Sequence, residues 1–421
     1  MSDQTDGSEF GVTSSGPTPP SVSPRPWLNS GVVGVGAASL FSDSGHEMTT
    51  SLLPTMFTSV LHGSAASLGI VEGASDALMG VAKLVSGPLT NQPNRRSRFA
   101  VSGYLGTALA TGAIGSATGL WQVGVLRTLA WVARGVRSPA RDSLLAQLAP
   151  EHAYGRAYGV ERAGDNVGAV VGPLLAALLV GILGIRSVLW LAAVPGVFAA
   201  VAIFVATKEV AHSTRHPQQV LRLNLAELRR HALARPLVPV VLFEFGNAAT
   251  TLLILRTTQL LHTSGRTLVY ATSLAIVVYA AHNAFAAVVA LVGGHWIDHS
   301  GPRVVFALGA GLYVGAYVLF AVGPHEWYWL LLAFSLAGSG IGLAETSEST
   351  VVARALPDAL RGSGFGLLGG VQALGDVVST VTVGILYVAF SPLVAFSYAA
   401  FWMLLSVSAS SWLLVSRRPA N

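Results

Sequence analysis

In the stretch 39-SLFSDSGHEMTTSLLP-54, Asp43, His46 and Glu47 interrupt an apolar run. At about 100° per residue, Asp43 and Glu47 fall roughly 40° apart on a helical wheel with His46 beside them, so all three can face one polar space. Two carboxylates and an imidazole there can carry a proton, hydrogen-bond a solute, or take part in holding a divalent metal such as Zn, Ni, Fe or Mn. One helix supplies too few ligands for a metal. Glu345, Glu348 or Asp76 would have to complete the set, and whether any metal is held stays open. Similar interruptions recur along the chain. Glu72, Asp76 and Lys83 share a stripe; Arg127, Arg134, Arg137 and Arg141 fall within about 80° of one another. Asp165, Glu244 with Arg256, and Glu345 with Glu348 complete the set. Arg137, Arg141 and Asp142 read as structural ion pairs.

The elements that position these groups are set by composition. Of 421 residues, 52% are hydrophobic and 11% charged, against about 25% charged in soluble domains. Apolar runs long enough to cross a bilayer follow one another after residue 30. They predict an all-α integral membrane protein with helices near 31–61, 64–90, 98–119, 120–145, 155–183, 186–206, 237–262, 267–297, 302–322, 326–354, 361–390 and 393–416. The runs lack the short alternating pattern of a barrel. A charged residue at the centre of such a helix costs about 2.5–3.5 kcal/mol, so acidic and basic stripes in one bundle imply charges paired around water.

The chain divides into a cytoplasmic tail (1–30), six helices (31–206), a cytoplasmic linker (207–236), six more helices (237–416) and a short tail (417–421). The net charge of +5 is distributed on one side. Arg95, Arg96, Arg98, Lys208, Arg215, Arg222, Arg229, Arg230, Arg235, Arg303, Arg361, Arg417 and Arg418 fall in one set of loops, and Arg186 and Arg266 in the other. By the positive-inside rule both termini are cytoplasmic, in a multi-pass protein of the plasma (inner) membrane. This placement excludes a nucleic-acid role and leaves the lipid bilayer as the partner of the basic loops. Residues 1–26 are polar and Pro-rich and lack the form of a secretory signal. With no cysteine there is no disulfide or thiolate metal site. No nucleophile elbow, His-Glu-x-x-His or phosphate-binding loop occurs, so no enzyme and no cofactor are expected.

The two halves echo each other. The stretch 146-AQLAPEHAYGRAYG-159 joins helix four to five, and 353-ARALPDALRGSGFG-366 joins helix ten to eleven, as a duplicated transporter fold requires. After helix eight, 293-GGHWIDHSGPRVV-305 resembles the loop signature of the major facilitator superfamily, Gly-x-x-x-Asp-x-x-Gly-x-Arg, at Gly294, Asp298, Gly301 and Arg303. The matching loop after helix two, 87-GPLTNQPNRR-96, keeps Gly87, Arg95 and Arg96 and has Asn91 where the family carries Asp. The segments SLFSDSGHEM, 134-RGVRSPARDSLLA-146 and 344-AETSESTVVARALP-357 resemble a bacterial branch of that superfamily with no single agreed substrate. Gly164, Gly168, Gly172 and Pro173 are similar to a signature of its antiporter branches.

This resemblance implies twelve transmembrane helices in two pseudo-symmetric six-helix bundles, with helices one, four, seven and ten lining the path. It implies a monomeric secondary transporter of a small molecule or ion. The expected function is a proton-coupled exporter working by alternating access. Asp43 or Glu47 would carry the proton, and a basic stripe including Arg127 would tune it. The alternatives are a metal-cation exporter, or an uncoupled facilitator or importer of a small organic solute.

Overall fold

An apolar helix in a bilayer must satisfy its own backbone, and in the computed structural model the described residues, 26–208, 225–230 and 233–415, form helices joined by short turns, with no strand among them. The first half runs α1 (Ser30–Thr55), α2 (Ala65–Leu89), α3 (Pro93–Ala113), α4 (Leu120–Leu148), α5 (Tyr154–Leu191) and α6 (Ala193–Lys208). α5 turns at Gly184 (φ 76°), so the fifth and sixth expected spans separate there. After the short α7 (Leu225–Arg230), the second half runs α8 (Ala234–Gly246), α9 (Thr250–Thr263), α10 (Leu268–Ser300), α11 (Pro302–Val322), α12 (Trp327–Ala355), α13 (Asp358–Ala389) and α14 (Pro392–Val415). Most of the expected tails and linker lies outside the described residues.

Local signals fix the helix starts. The Asn29 side chain accepts from the Val32 N–H at 3.0 Å and donates to the Leu148 carbonyl at 3.0 Å, which caps α1 and ties it to the end of α4. Ser64 and Ser67 form a capping box on α2. Pro93 and Pro302 open α3 and α11. For this reason α3 begins five residues before the expected 98.

Two departures from expectation matter. By hydropathy alone, seven segments among the described residues could span a membrane, and one of them, Glu151–Lys208, holds two spans. The segments α1 to α4 are not among these: charged side chains interrupt α1, α2 and α4, and α3 opens on Arg95, Arg96 and Arg98 and is rich in Gly, Ser and Thr. The seventh expected helix is also broken. Its backbone leaves the helix at residues 247–249, after Gly246 and Asn247, both weak helix formers. The freed amides are taken by side chains: Ala248 donates to Tyr317 Oη at 3.0 Å and Ala249 to Thr380 Oγ1 at 3.1 Å. Irregular backbone at membrane depth is tolerated where it lines a cavity.

The halves meet through α5 against α10 and α2 against α13. At the end where the chain enters α1 and leaves α14, the near end, glycines allow the backbones to touch. A Cβ on Gly87 would come within 2.7 Å of the Gly362 carbonyl, and one on Gly159 within 2.5 Å of the Ala290 carbonyl.

Candidate functional site

The charged stripes converge on a cavity of about 280 Å³ between the halves. Arg134, Arg137 and Arg141 of α4 line it, as their common stripe requires, together with Lys83 of α2 and Arg162 and Asp165 of α5. From the other half come Glu244 of α8, Asn247 at the break, Glu345 of α12, and Gln372 and Asp376 of α13. A second cavity of about 530 Å³ continues toward the far end and shares Met79, Asn247, Glu345 and Asp376 with the first. Its walls include Asp76, His282 and Tyr313 amid apolar Ala77, Ile341, Val377 and Val381.

Many of the charges are paired. Asp43 receives both guanidinium nitrogens of Arg134, at 2.7 and 3.0 Å, with Arg137 at 3.8 Å. Arg137 also bonds Ser42 and stacks on Tyr104, 4.0 Å from the ring centroid. Arg141 holds Glu161 at 2.6 Å and Asp142 at 2.9 Å, and Asp165 lies 3.9 Å from both Arg134 and Arg141. Arg162 reaches Glu345 across the halves at 3.6 Å. Bidentate, buried pairs of this kind fix geometry, and losing one partner strands a charge.

The expected site residues separate accordingly. Asp43, Arg134 and Asp165 belong to one network; Glu244 and Glu345 line the central cavity and Asp76 the outer one. His46, Glu47 and Arg127 lie to one side of the central cavity and are not among its walls. The His46 ring lies 4.4 Å from that of Trp131, and Arg127 pairs with Glu72 at 3.0 Å and lies over the same indole at 4.8 Å. Glu348 is fully buried and bonded to Gln372 rather than lining the central cavity. Arg256, noted with Glu244 on the seventh expected helix, donates to the Phe320 carbonyl near the far end. Among the described residues no three His, Asp or Glu side chains gather to hold a metal ion. The structure does not bring Glu345, Glu348 or Asp76 to His46, because Asp43 and His46 face α4 instead. Of the four helices expected to line the path, α1 gives no wall to either cavity, because its charged face packs on α4, while α2, α5 and α13 supply walls that were not expected.

Sequence reasoning missed Glu161, Arg162, Trp131, Gln372 and Asp376. Asp376 had a signal: it is the only charged residue between Arg361 and Arg417, and a lone carboxylate in so long an apolar run marks a cavity. Glu161 and Arg162 lie close to the loop before α5 and read as surface residues.

The loop motifs build the closure at the near end. Asp298 accepts from the Gly155 N–H at 2.8 Å, the Arg156 N–H at 3.1 Å and Arg156 Nε at 2.9 Å, all in the opposite half, and from Arg354 at 3.1 Å in its own. A Cβ on Gly155 or Gly294 would strike the other's carbonyl, so both glycines are needed for this contact. Gly301 turns the chain with φ 84°, and Arg303 lies at the start of α11. In the matching loop, Asn91 replaces a charged latch with a neutral one. Its Nδ2 donates to Ser363 Oγ at 2.8 Å and its Oδ1 accepts from the Ser363 N–H at 2.9 Å. Arg96, rather than Arg95, carries the loop's ion pair, to Asp358 at 2.7 Å. Arg361 adds a 2.8 Å bond to Tyr154 Oη. Among the described residues, the hydrogen bonds and ion pairs that cross between the halves cluster toward this end. At the far end, Gly69 and Gly73 of α2 face open space and Ile70 is exposed.

Gly164, Gly168 and Gly172 seat α5 on α1. A Cβ at Gly168 or Gly172 would lie 2.5 Å from the carbonyl of Leu40 or Ser44. Pro173 follows within the helix. These glycines thus hold the two helices that carry Asp43 and Asp165 in close contact.

Comparison with known proteins adds to this geometry. The sequence profile of the Major Facilitator Superfamily matches residues 35–281 and 260–421. An MFS-type transporter of Methanocaldococcus jannaschii, itself uncharacterized, is 24% identical over 381 residues, covering 90% of this chain and 94% of that protein. The multidrug resistance protein MdtG of Enterobacter lignolyticus is 28% identical over 158 residues, 36% of this chain and 38% of that one. Among solved structures, a bacterial homologue of the iron transporter ferroportin in its outward-facing state superposes with a TM-score of 0.73 at 12% identity, covering 92% of this chain and all of that one.

Proposed function

This chain belongs to the major facilitator superfamily, and on that premise we propose that it is a proton-coupled exporter of a small organic molecule, working by alternating access. One observation carries the reading: a central cavity lined by ionisable groups continues toward the far end, while cross-half bonds close it at the near end. In this proposal the near end, which carries the basic loops and both termini, faces the cytoplasm, and the protein works as a monomer in the plasma membrane. Rocking of the halves would break Asp298 from Gly155 and Arg156, and Asn91 from Ser363, and would bring α2 and α13 together at the far end. The antiporter-like glycine motif and the partial likeness to a multidrug resistance protein support export. The apolar walls around Asp76, Glu345 and Asp376 suit a solute with an apolar body and a basic group.

In this reading the paired network of Asp43, Arg134 and Asp165 positions α1, α4 and α5. The acidic wall of Glu244, Glu345 and Asp376 meets solute and proton. The test uses inside-out vesicles acidified internally and offered ethidium, a fluorescent organic anion and a divalent metal in turn. The expected result is accumulation of the cation probe, abolished by nigericin. Equal accumulation with and without the gradient would remove proton coupling from the account.

A further inference from the structure

Lys83, Arg134, Arg137, Arg141 and Arg162 of the first half line the central cavity. Each of the arginines has a carboxylate beside it: Asp43 for Arg134 and Arg137, Glu161 and Asp142 for Arg141, Glu161 and Glu345 for Arg162. Lys83 of α2 does not. Among the described residues its ammonium has neither a hydrogen-bond nor an ion-pair partner, although its side chain is a wall of the cavity. Its stem is held against α13, where a Cβ on Gly369 would lie 2.5 Å from Lys83 Cδ, so that glycine makes the room for it.

The facing wall has the opposite surplus. Glu244 of α8 accepts from Asn247 Nδ2 at 3.1 Å, and Asp376 of α13 from the same nitrogen at 3.4 Å; among the described residues neither is in an ion pair with a basic side chain. The surpluses do not cancel by contact, because the fold holds them at different depths. Asp376 stands two turns beyond Gly369 along α13, about 10 Å of helix rise toward the far end. Charges left without a counterion at membrane depth are costly, and they mark the places where a solute brings its own.

We propose, resting on the exporter reading above, that the cargo is a zwitterion whose acidic and basic groups stand several bonds apart. Its oxyanion meets Lys83 of the first half, and its ammonium meets Glu244 and Asp376 of the second. The acidic group lies deepest, the basic group at the level of Asp376, and the apolar body outermost, among Ala77, Ile341 and Val377 of the outer cavity. A simple cation satisfies only the acidic wall and leaves the ammonium of Lys83 without a counterion. A zwitterion engages both halves at once, so its binding bears directly on how they rock against each other.

Tetramethylrhodamine and its methyl ester test this. They share one aromatic body; the free acid is a zwitterion and the ester a cation. Binding to the full chain in nanodiscs is read by fluorescence anisotropy, with empty nanodiscs as the blank, and gradient-driven accumulation is read in inside-out vesicles. Wild-type protein should bind the zwitterion about tenfold more tightly than the ester, the value of one bond to a charged group. Lys83→Met should erase that preference by weakening the zwitterion alone, and Lys83→Arg should keep it. Equal binding of the two dyes by wild-type protein, or a preference that survives Lys83→Met, would overturn the zwitterion while leaving the exporter standing if the ester still accumulates with the gradient. Binding of neither dye would overturn this proposal and the cation reading together. If Lys83→Met does not fold, the wild-type comparison decides.

Discussion

Replacing Asp298 with Asn probes the near-end closure most sharply. Its side chain is only 2% exposed, and three of its four hydrogen bonds cross to the opposite half, at 2.8, 2.9 and 3.1 Å. Bonds to a charged acceptor are worth about 1.5–3 kcal/mol each. Asn keeps one acceptor oxygen but turns an NH2 group toward donors. Arg156 is 23% exposed, so water screens its share, and the net loss from the closed state is about 2 kcal/mol. At about 1.4 kcal/mol per decade this shifts the closed-to-open ratio on the order of 30-fold. The chain has no native cysteine, so Ser138→Cys in the central cavity is a clean reporter. In inside-out vesicles an impermeant maleimide reaches it only through the near end, and Asp298→Asn should raise its labelling rate by roughly that factor. An unchanged rate in an inserted, folded variant would reduce the Asp298 cluster to a turn.

Three further outcomes follow from the same geometry. Asn91→Leu removes both bonds to Ser363, worth about 1–3 kcal/mol together, and should raise the same near-end labelling. Asn91→Asp should stay close to wild type, because its carboxylate accepts from the Ser363 N–H and hydroxyl. Asp43→Asn or Arg134→Ala alone should lower stability by about 3–5 kcal/mol in thermal melts. The double variant should recover part of that loss, and strictly additive losses would contradict the pairing. Gly168→Val pushes a side chain into the Leu40 carbonyl and should cost about 1–3 kcal/mol; an unmoved melting temperature would contradict the close crossing of α1 and α5.

The helices, their number and the near-end loop motifs were legible in the sequence because a bilayer allows apolar segments few other structures. The Arg134, Arg137 and Arg141 stripe was legible for the same reason: helical periodicity alone puts those side chains on one face. Partners were not. Nothing in the periodicity of α1 says that Asp43 meets Arg134 while Glu47 lies outside the cavity wall, since that depends on how α1 is rotated against α4. The break after Gly246 was hidden because it is stabilised from outside, by Tyr317 and Thr380, two side chains distant in sequence. Asn91 looked like the loss of a latch. It is a latch of another chemistry, visible only once Ser363 lies opposite it.

Alternating access is the central claim, and paired interspin distances test it most directly. One pair of labels goes at residues 73 and 381, across the mouth of the outer cavity, where Gly73 has open space and Val381 is exposed. The other goes at exposed Arg98 and His299, across the near end. Distances are recorded in proteoliposomes across a range of pH, with and without the cation probe. The account predicts opposite movement, the near-end pair lengthening in the population where the far-end pair shortens. Two distances that change together, or that keep one value under every condition, would contradict it.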